Sequence, residues 1–432
     1  MSLQVLEKSV MQLDEQASAQ NSFPAWLHTH REQQRAAFMR HGIPQQKHER
    51  WKYTDLGILD KQHFILSDEN HGVTQESIDA CRLQDTESVL LVFIDGRFAP
   101  QYSELHKLPS AVIACSMLTA LAEHEALVKP HLLNDMCAED YPFAALSAAL
   151  FADGLFLVIP EQMKLTAPLH LLSVSSGQHA VITHARNVLL FGKDSEANIV
   201  HEYAGLRDDI YFTNVLTTIS AQPGAKLNLL KLQHESVQAV HMEKVVVQQA
   251  KDSDVTLMHV TTGAHFSRDD TAGSLAEAGA VCRAIGFYQT SRNGQYVDHH
   301  VAIKHVAPRT SSEMLYKGIA DKKSRLVFNG GLYVAKDAQK INAFQENHTL
   351  LLSGQAEVYA KPELEIYADD VKCRHGATTG QIDQDALFYM RARGMDKLTA
   401  VHILLKGFAE DVLQRITHPA IRQHAIKQVT FL

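Results

Sequence analysis

Cys373 and His375 stand two residues apart in the run VKCRHGATTGQI (371–382). They offer a soft thiol and an imidazole, two donors that iron and zinc accept. In an extended segment, side chains i and i+2 leave the same face, so the pair could grip one metal ion. Two ligands make half a coordination shell, and the rest would have to come from elsewhere in the fold, a second chain or a small molecule. The plainer alternative is a buried cysteine beside a capping histidine. Lys372 and Arg374 flank the thiol but leave the opposite strand face, so any lowering of its pKa is expected to be modest.

Positioning such a pair needs a framework, and 432 residues at 45% apolar content can bury a large core in two or three domains. Lys and Arg number 41 against 49 Asp and Glu, a formal charge of −8, which argues against binding nucleic acid through phosphate attraction. No run of 18 apolar residues exists to span a membrane, and residues 1–19 carry neither a signal-peptide core nor a transit pattern. Five cysteines (Cys81, Cys115, Cys137, Cys282, Cys373), widely spaced and without a CxxC, read as reduced thiols of a cytoplasmic protein. The 25 histidines are scattered, without HExxH spacing, so their number alone is weak evidence for metal.

The first 60 residues read as helical. Leu3, Leu6, Val10 and Leu13 recur at helical steps, and 25–39 follows Pro24 and ends before Gly42 and Pro44. Trp51 and Tyr53, in KHERWKYTDL, are candidate anchors onto a core. Asp95-Gly96 between apolar runs predicts a hairpin over 89–98, and 143–151 predicts a helix stopped by Asp153-Gly154. From about residue 155 strand-like runs alternate with short polar turns. Leu189/Phe191, Thr217/Ile219 and Val245/Val247 recur 28 residues apart, and Ile199/His201, Leu227/Leu229 and Val255/Leu257 follow in the same phase, with a weaker copy from Ala280. Repeats of this length mark a solenoid. Two strands per coil without a helix or an LxxLxL frame predict a parallel β-helix, the rival being an evenly spaced β-sandwich. After 383 helical periodicity returns: Asp383 caps a helix ended by Gly394, and Val401, Leu405, Phe408 and Val412 make one stripe before a short helix opened by Pro419. This tail is expected to pack on the end of the β-helix or to dock a partner. The chain thus divides into a mainly helical 1–150, a β-helix core 151–383 and a helical 384–432.

No GxxxxGK[ST], GxGxxG or GxSxG motif is present. Gly263, Gly273 and Gly279, near Asp269-Asp270, read as turns between coils, Asn329-Gly330-Gly331 as a further turn, and Asp369-Asp370 as a solvated corner.

Several blocks carry a family signature: ERWKYTDL (49–56), PFAALSAALFADGLFLVIP (142–160), APRTSSEMLYKGIADKKSRLVFNGGLYV (307–334), NHTLLLSGQAEVYAKPELEIYADDVKCRHGATTGQID (347–383) and FYMRARGM (388–395). Through them the chain resembles the SufB/SufD family of the SUF iron–sulfur cluster assembly machinery, over nearly its whole length. The resemblance implies a right-handed parallel β-helix between helical N- and C-terminal regions, acting as a scaffold and not as an enzyme. It further implies pairing with a SufB-like chain through the β-helices and binding of a SufC-like ATPase, largely through the C-terminal helices. Candidate contacts there are Tyr389, Arg391 and Arg393, for which capping and packing serve equally well as explanations. Cys373 and His375 match the family's KCxHGAT motif, with His375 facing the partner's cluster-building cysteine, so the missing ligands come from the other chain. The SufB-like cysteine position falls on Asn347, and a glutamate that follows the motif histidine there is Gly376 here. Both departures place the chain on the SufD side. Alone it is expected to bind no cofactor stably, the nascent cluster forming at the mixed interface; a homodimer in isolation is plausible from an unpaired β-helix surface. Two other readings are a metal-free solenoid that binds protein partners and a polysaccharide-acting β-helix enzyme. The second should show an export signal and a groove of carboxylates, and neither is evident.

Overall fold

The computed structural model describes residues 23–59, 62–66, 72–84, 86–133, 141–177, 180–429 and 431; the proposed first helix and Cys137 lie outside them. The chain opens with α1 (Ala25–His41), β1 (Ile65–Leu66), α2 (Gln75–Cys81), the hairpin β2 (Val89–Ile94) and β3 (Arg97–Phe98), β4 (Ile113–Ser116), α3 (Met117–Glu123), α4 (Glu125–Leu133) and α5 (Pro142–Leu150). The Asp95-Gly96 turn has both residues at positive φ, 47° and 78°, the twist that joins two antiparallel strands.

Two parallel sheets follow, visited alternately by the chain. Sheet A holds β5 (Leu155–Ile159), β7 (Val181–Phe191), β9 (Phe212–Ala221), β11 (Val240–Gln249), β13 (Phe266–Leu275), β15 (Tyr296–His305), β17 (Arg325–Val334) and β19 (Glu357–Ile366). Sheet B holds β6 (Leu169–Ser175), β8 (Glu196–Gly205), β10 (Lys226–His234), β12 (Asp254–Thr261), β14 (Val281–Thr290), β16 (Ser311–Ala320), β18 (Ile341–Leu351) and β20 (Val371–Gly380). This is the expected parallel β-solenoid, not a sandwich of hairpins. The N-terminal strands belong to it as well, β1 and β4 joining sheet A and β2 and β3 joining sheet B.

The repeat is real, but its first step is 30 residues, not 28: Leu189 pairs with Ile219 and Ala197 with Leu227. The second step is 28, Thr217 against Val245 and Leu227 against Val255. A slip of two residues keeps every side chain on its own face, which is why the inward set was legible despite the wrong register. Leu189, Ile219 and Val247 of sheet A meet Ile199, Leu229 and Leu257 of sheet B in one core. Corners between sheets each use one left-handed residue at the same place: Asp194 (φ 55°), Gly224 (71°), Asp252 (55°) and Gly279 (79°). They alternate for a reason, since a Cβ on Gly224 would lie 2.1 Å from Asp194 Oδ1 and one on Gly279 2.0 Å from Asp252 Oδ1.

Two expected turns are strand interior instead. Gly330 and Gly331 lie within β17, opposite Val301 and Ala302, and a Cβ on Gly330 would sit 2.3 Å from Gln345 Nε2. Gly273 and Asp269-Asp270 lie within β13, both carboxylates buried. Asp369-Asp370 is the exposed corner expected of it.

α6 (Gln384–Ala392), α7 (Lys397–Leu413) and α8 (Pro419–Lys427) close the chain. Asp383 Oδ1 accepts the amides of Asp385 (2.9 Å) and Ala386 (3.1 Å), the capping that its position foretold. The helices lie along the outer face of sheet B, not over its end: Leu405, Ala409, Val412, Ile421 and Ala425 cover Val200, Leu230, Met258 and Ile285. Opposite, Trp51 fixes the N-terminal segment to sheet A by stacking on the Arg268 guanidinium, 3.7 Å from the ring centroid, and Tyr53 stacks on Tyr359 at 4.3 Å.

Candidate functional site

Cys373 and His375 lie on β20, the last strand of sheet B, which pairs with β18 alone. Cys373 continues an inward column through Val255, Cys282, Ser312 and Ala343; His375 continues Leu257, Ala284, Met314 and Gln345. Both side chains therefore belong to the face that lines the solenoid interior. Among the described residues no further coil covers them, so Cys373 stays half-buried against the core and His375 is exposed. Burial pushes the Cys373 thiol above its ordinary pKa, opposite in sign to the small lowering expected from its neighbours. Arg374 faces the other way, over the Phe344 ring at 4.3 Å. Gly376 has open space where a side chain would go, so packing does not force a glycine there.

Four of the scattered histidines fall in two buried polar groups. In the first, Glu202 accepts His170 Nε2 at 2.9 Å, His234 Nε2 at 2.6 Å and His424 Nε2 at 2.7 Å, tying α8 to sheet B. Burial pushes its carboxyl up, and the three imidazole hydrogen bonds more than reverse this, holding it well below the usual range. His170, Glu202 and His424 have the spacing of a metal site. However, the Leu83 amide donates to His170 Nδ1 at 3.2 Å, which puts the ring's proton on Nε2 and removes the lone pair a metal would need there. In the second, the Lys231 ammonium already fills the centre among His241, Glu243 and Asp269: Nζ lies 2.8 Å from Glu243 Oε2 and 2.8 Å from His241 Nε2, and donates to Asp269 Oδ1. Three donors meet three acceptors. Burial pulls Lys231 down, yet the Asp269 and Glu243 carboxylates hold it above its ordinary value. Both groups are internal hydrogen-bond and ion networks.

Above them the lumen stays polar toward β20. Tyr316 and His259 Nδ1 are 3.0 Å apart, and Asn347 Nδ2 donates to Tyr288 Oη at 2.9 Å and to the Tyr316 carbonyl at 3.3 Å. Asn347 is thus buried one coil inside the edge.

Tyr389, Arg391 and Arg393 are all exposed near the end of α6, with the Arg393 guanidinium 4.4 Å from the Tyr389 ring centroid. The exposed apolar surface around them was missed by the sequence reading: Phe388 is 74% exposed and Leu398 65%. A groove of about 500 Å³ between the last coil and α6–α7 is lined by Leu351, Leu352, Ile382, Leu387, Leu398 and Val401. The FYMRARGM block signalled the place but not which side chains face out.

The family model described as the SUF system FeS cluster assembly, SufBD core domain matches residues 173–408, and the SufBD protein N-terminal region matches 7–171. The chain belongs to the SufB/SufD family of iron–sulfur cluster assembly proteins. Among its relatives, an iron–sulfur cluster assembly SufBD family protein of Synechocystis is 30% identical over 87% of this chain and 84% of the relative. The iron–sulfur cluster assembly protein SufD of Escherichia coli is 29% identical over 90% of this chain and 89% of its own length. The match to SufB of Bacillus subtilis is 23% and covers 68% of this chain and 63% of that protein. SufD thus aligns almost end to end with this SufBD-family chain, and SufB over a shorter part. No helix among the described residues is long and apolar enough to cross a membrane.

Proposed function

We propose that this chain is the SufD-type half of a two-chain scaffold for iron–sulfur cluster assembly, completed by a SufB-like paralogue and served by a SufC-like ATPase. The observation that carries the reading is the asymmetry of the solenoid's ends. At its start, the sheets finish in the short antiparallel strands β3 and β4, with α3 and α4 packed beside them. At the other end β19 and β20 finish bare, half-buried to exposed along their length. A bare strand edge is a template for another chain, and this one presents His375 and Cys373 at its rim.

In this reading the nascent cluster is the scaffold's substrate, not its resident cofactor. The SufB-like chain supplies the thiolate, and His375 supplies a nitrogen donor that needs no deprotonation of a buried sulfur. Cys373, half sunk in the core with its thiol held protonated, is the lesser donor. The chain itself catalyses no bond-making. The exposed face of α6 and α7 is the ATPase's docking surface, and their packing on sheet B carries the ATPase's movement to the strand edge. The expected result of replacing each ligand by alanine, in cells that depend on the complex, is a large loss of iron–sulfur enzyme maturation for His375→Ala and a smaller loss for Cys373→Ala. A silent His375→Ala overturns the assignment.

A further inference from the structure

Residues 49–56 run crosswise over the outer face of sheet A and touch four successive strands. Arg268, Asp298, Val327 and Tyr359 stand in one cross-strand row of β13, β15, β17 and β19, and the segment lies along it. At β13, the Arg268 guanidinium, 1% exposed, donates to the Arg50 carbonyl at 3.0 Å and to Thr54 Oγ1 at 2.9 Å beneath the Trp51 ring. At β15, Thr54 Oγ1 donates to Asp298 Oδ2 at 3.0 Å. At β17, Arg325 Nη1 donates to the Tyr53 carbonyl at 3.4 Å. At β19, the Tyr53 ring stacks on Tyr359 and Lys361 Nζ donates to Glu49 Oε1.

The two halves of this crossing differ in strength. Trp51, Thr54, Arg268 and Asp298 are buried, and breaking a buried, hydrogen-bonded ion group is costly. The Glu49–Lys361 pair has side chains 71% and 35% exposed, and an exposed pair is weak and screened by salt. The weak half meets the strand that most needs support, because β19 ends the order of sheet A and pairs with β17 alone. We propose that residues 49–56 form a clasp, fixed at β13 and β15 and releasable at β19, that sets how rigidly the last coil is held. Leu364 of β19 and Cys373 of β20 pack against the same core, so slack in one strand reaches the other. Glu49 and Tyr53 are positioning residues that act through β19. The inference deepens the scaffold reading and rests on it for its purpose: a second chain that adds to a stiff edge loses less conformational freedom than one that must first order a loose edge.

The test is amide hydrogen exchange on the full-length chain, comparing wild type with the double variant Glu49→Gln and Tyr53→Ala. The variant is expected to melt close to wild type. Its β19 amides bonded to β17 are expected to exchange at least about tenfold faster, the β20 amides faster by a smaller factor, and those of β13 and β15 at the wild-type rate, as in a local opening. Tyr53→Phe keeps the ring and is expected to match wild type. Should the double variant not fold, Glu49→Gln alone is expected to show the same pattern with a smaller factor. Unchanged exchange in β19, an equal rise in β13 and β15, or a Tyr53→Phe chain as loose as the double variant overturns the inference. Affinity for the SufB-like chain is expected to fall in the double variant and to hold in Tyr53→Phe. A loosened β19 with unaltered pairing affinity supports the clasp and counts instead against the scaffold reading's choice of edge.

Discussion

His184, His201, His259 and His299 are each held neutral by burial, their pKa values pulled from the ordinary 6.5 to about 3, 3, 4 and 3. Unfolding releases these rings to water, where each takes up a proton below pH 6.5. The unfolded state then binds more protons than the folded one, so stability rises with pH through this window and is lost as pH falls. Between pH 6.5 and 5 each ring is expected to contribute roughly 1–2 kcal/mol to that loss, and the four together several. Urea unfolding at pH 7 and pH 5 measures it. The midpoint should drop markedly at pH 5, and an unchanged midpoint would mean that these rings are already charged in the fold. Lys231 behaves oppositely, since its carboxylate neighbours keep it charged. Removing one member of such a group strands a buried charge, which is costly. The buried charge of Lys231 is therefore kept beside compensating carboxylates.

At the scale of elements, α6 and α7 turn one face to sheet B and leave the other exposed. The inner stripe of Val401, Leu405 and Val412 covers sheet B, so truncation after residue 383 would bare an apolar sheet and confound any binding assay. Substitutions on the outer face avoid this. Phe388→Glu with Leu398→Glu is expected to abolish capture of a SufC-like ATPase in a pull-down while changing stability by less than about 0.5 kcal/mol each, as exposed positions do. Retained capture would place the docking surface elsewhere. The sequence made most elements legible because their signals are local: Asp383 as a cap, Asp95-Gly96 as a hairpin, alternation along the coils. It misled where the reason is tertiary. Asn329-Gly330-Gly331 looks like a turn, but its glycine makes room for Gln345 from the facing sheet. Gly273 beside Asp269-Asp270 looks like a turn between coils, but all three lie within β13, where Lys231 from another strand meets Asp269 and Arg268 of the same strand meets Asp270. Cys373 and His375 were legible as a pair on one face.

For the whole molecule, stacking is what turns a short repeat into a site. Each coil buries the one below it, and among the described residues no strand is stacked on the last pair. An interior column of side chains therefore surfaces only there, as His375 and Cys373. On the proposed reading, the imidazole and the thiol at this edge would need a second surface to enclose a cluster. The most direct test is anaerobic reconstitution with iron and sulfide, assaying cluster content in the purified chain alone and after mixing with its SufB-like paralogue. The account predicts a stable cluster only in the mixture, diminished there by His375→Ala. A stoichiometric, stable cluster on the isolated chain would contradict it.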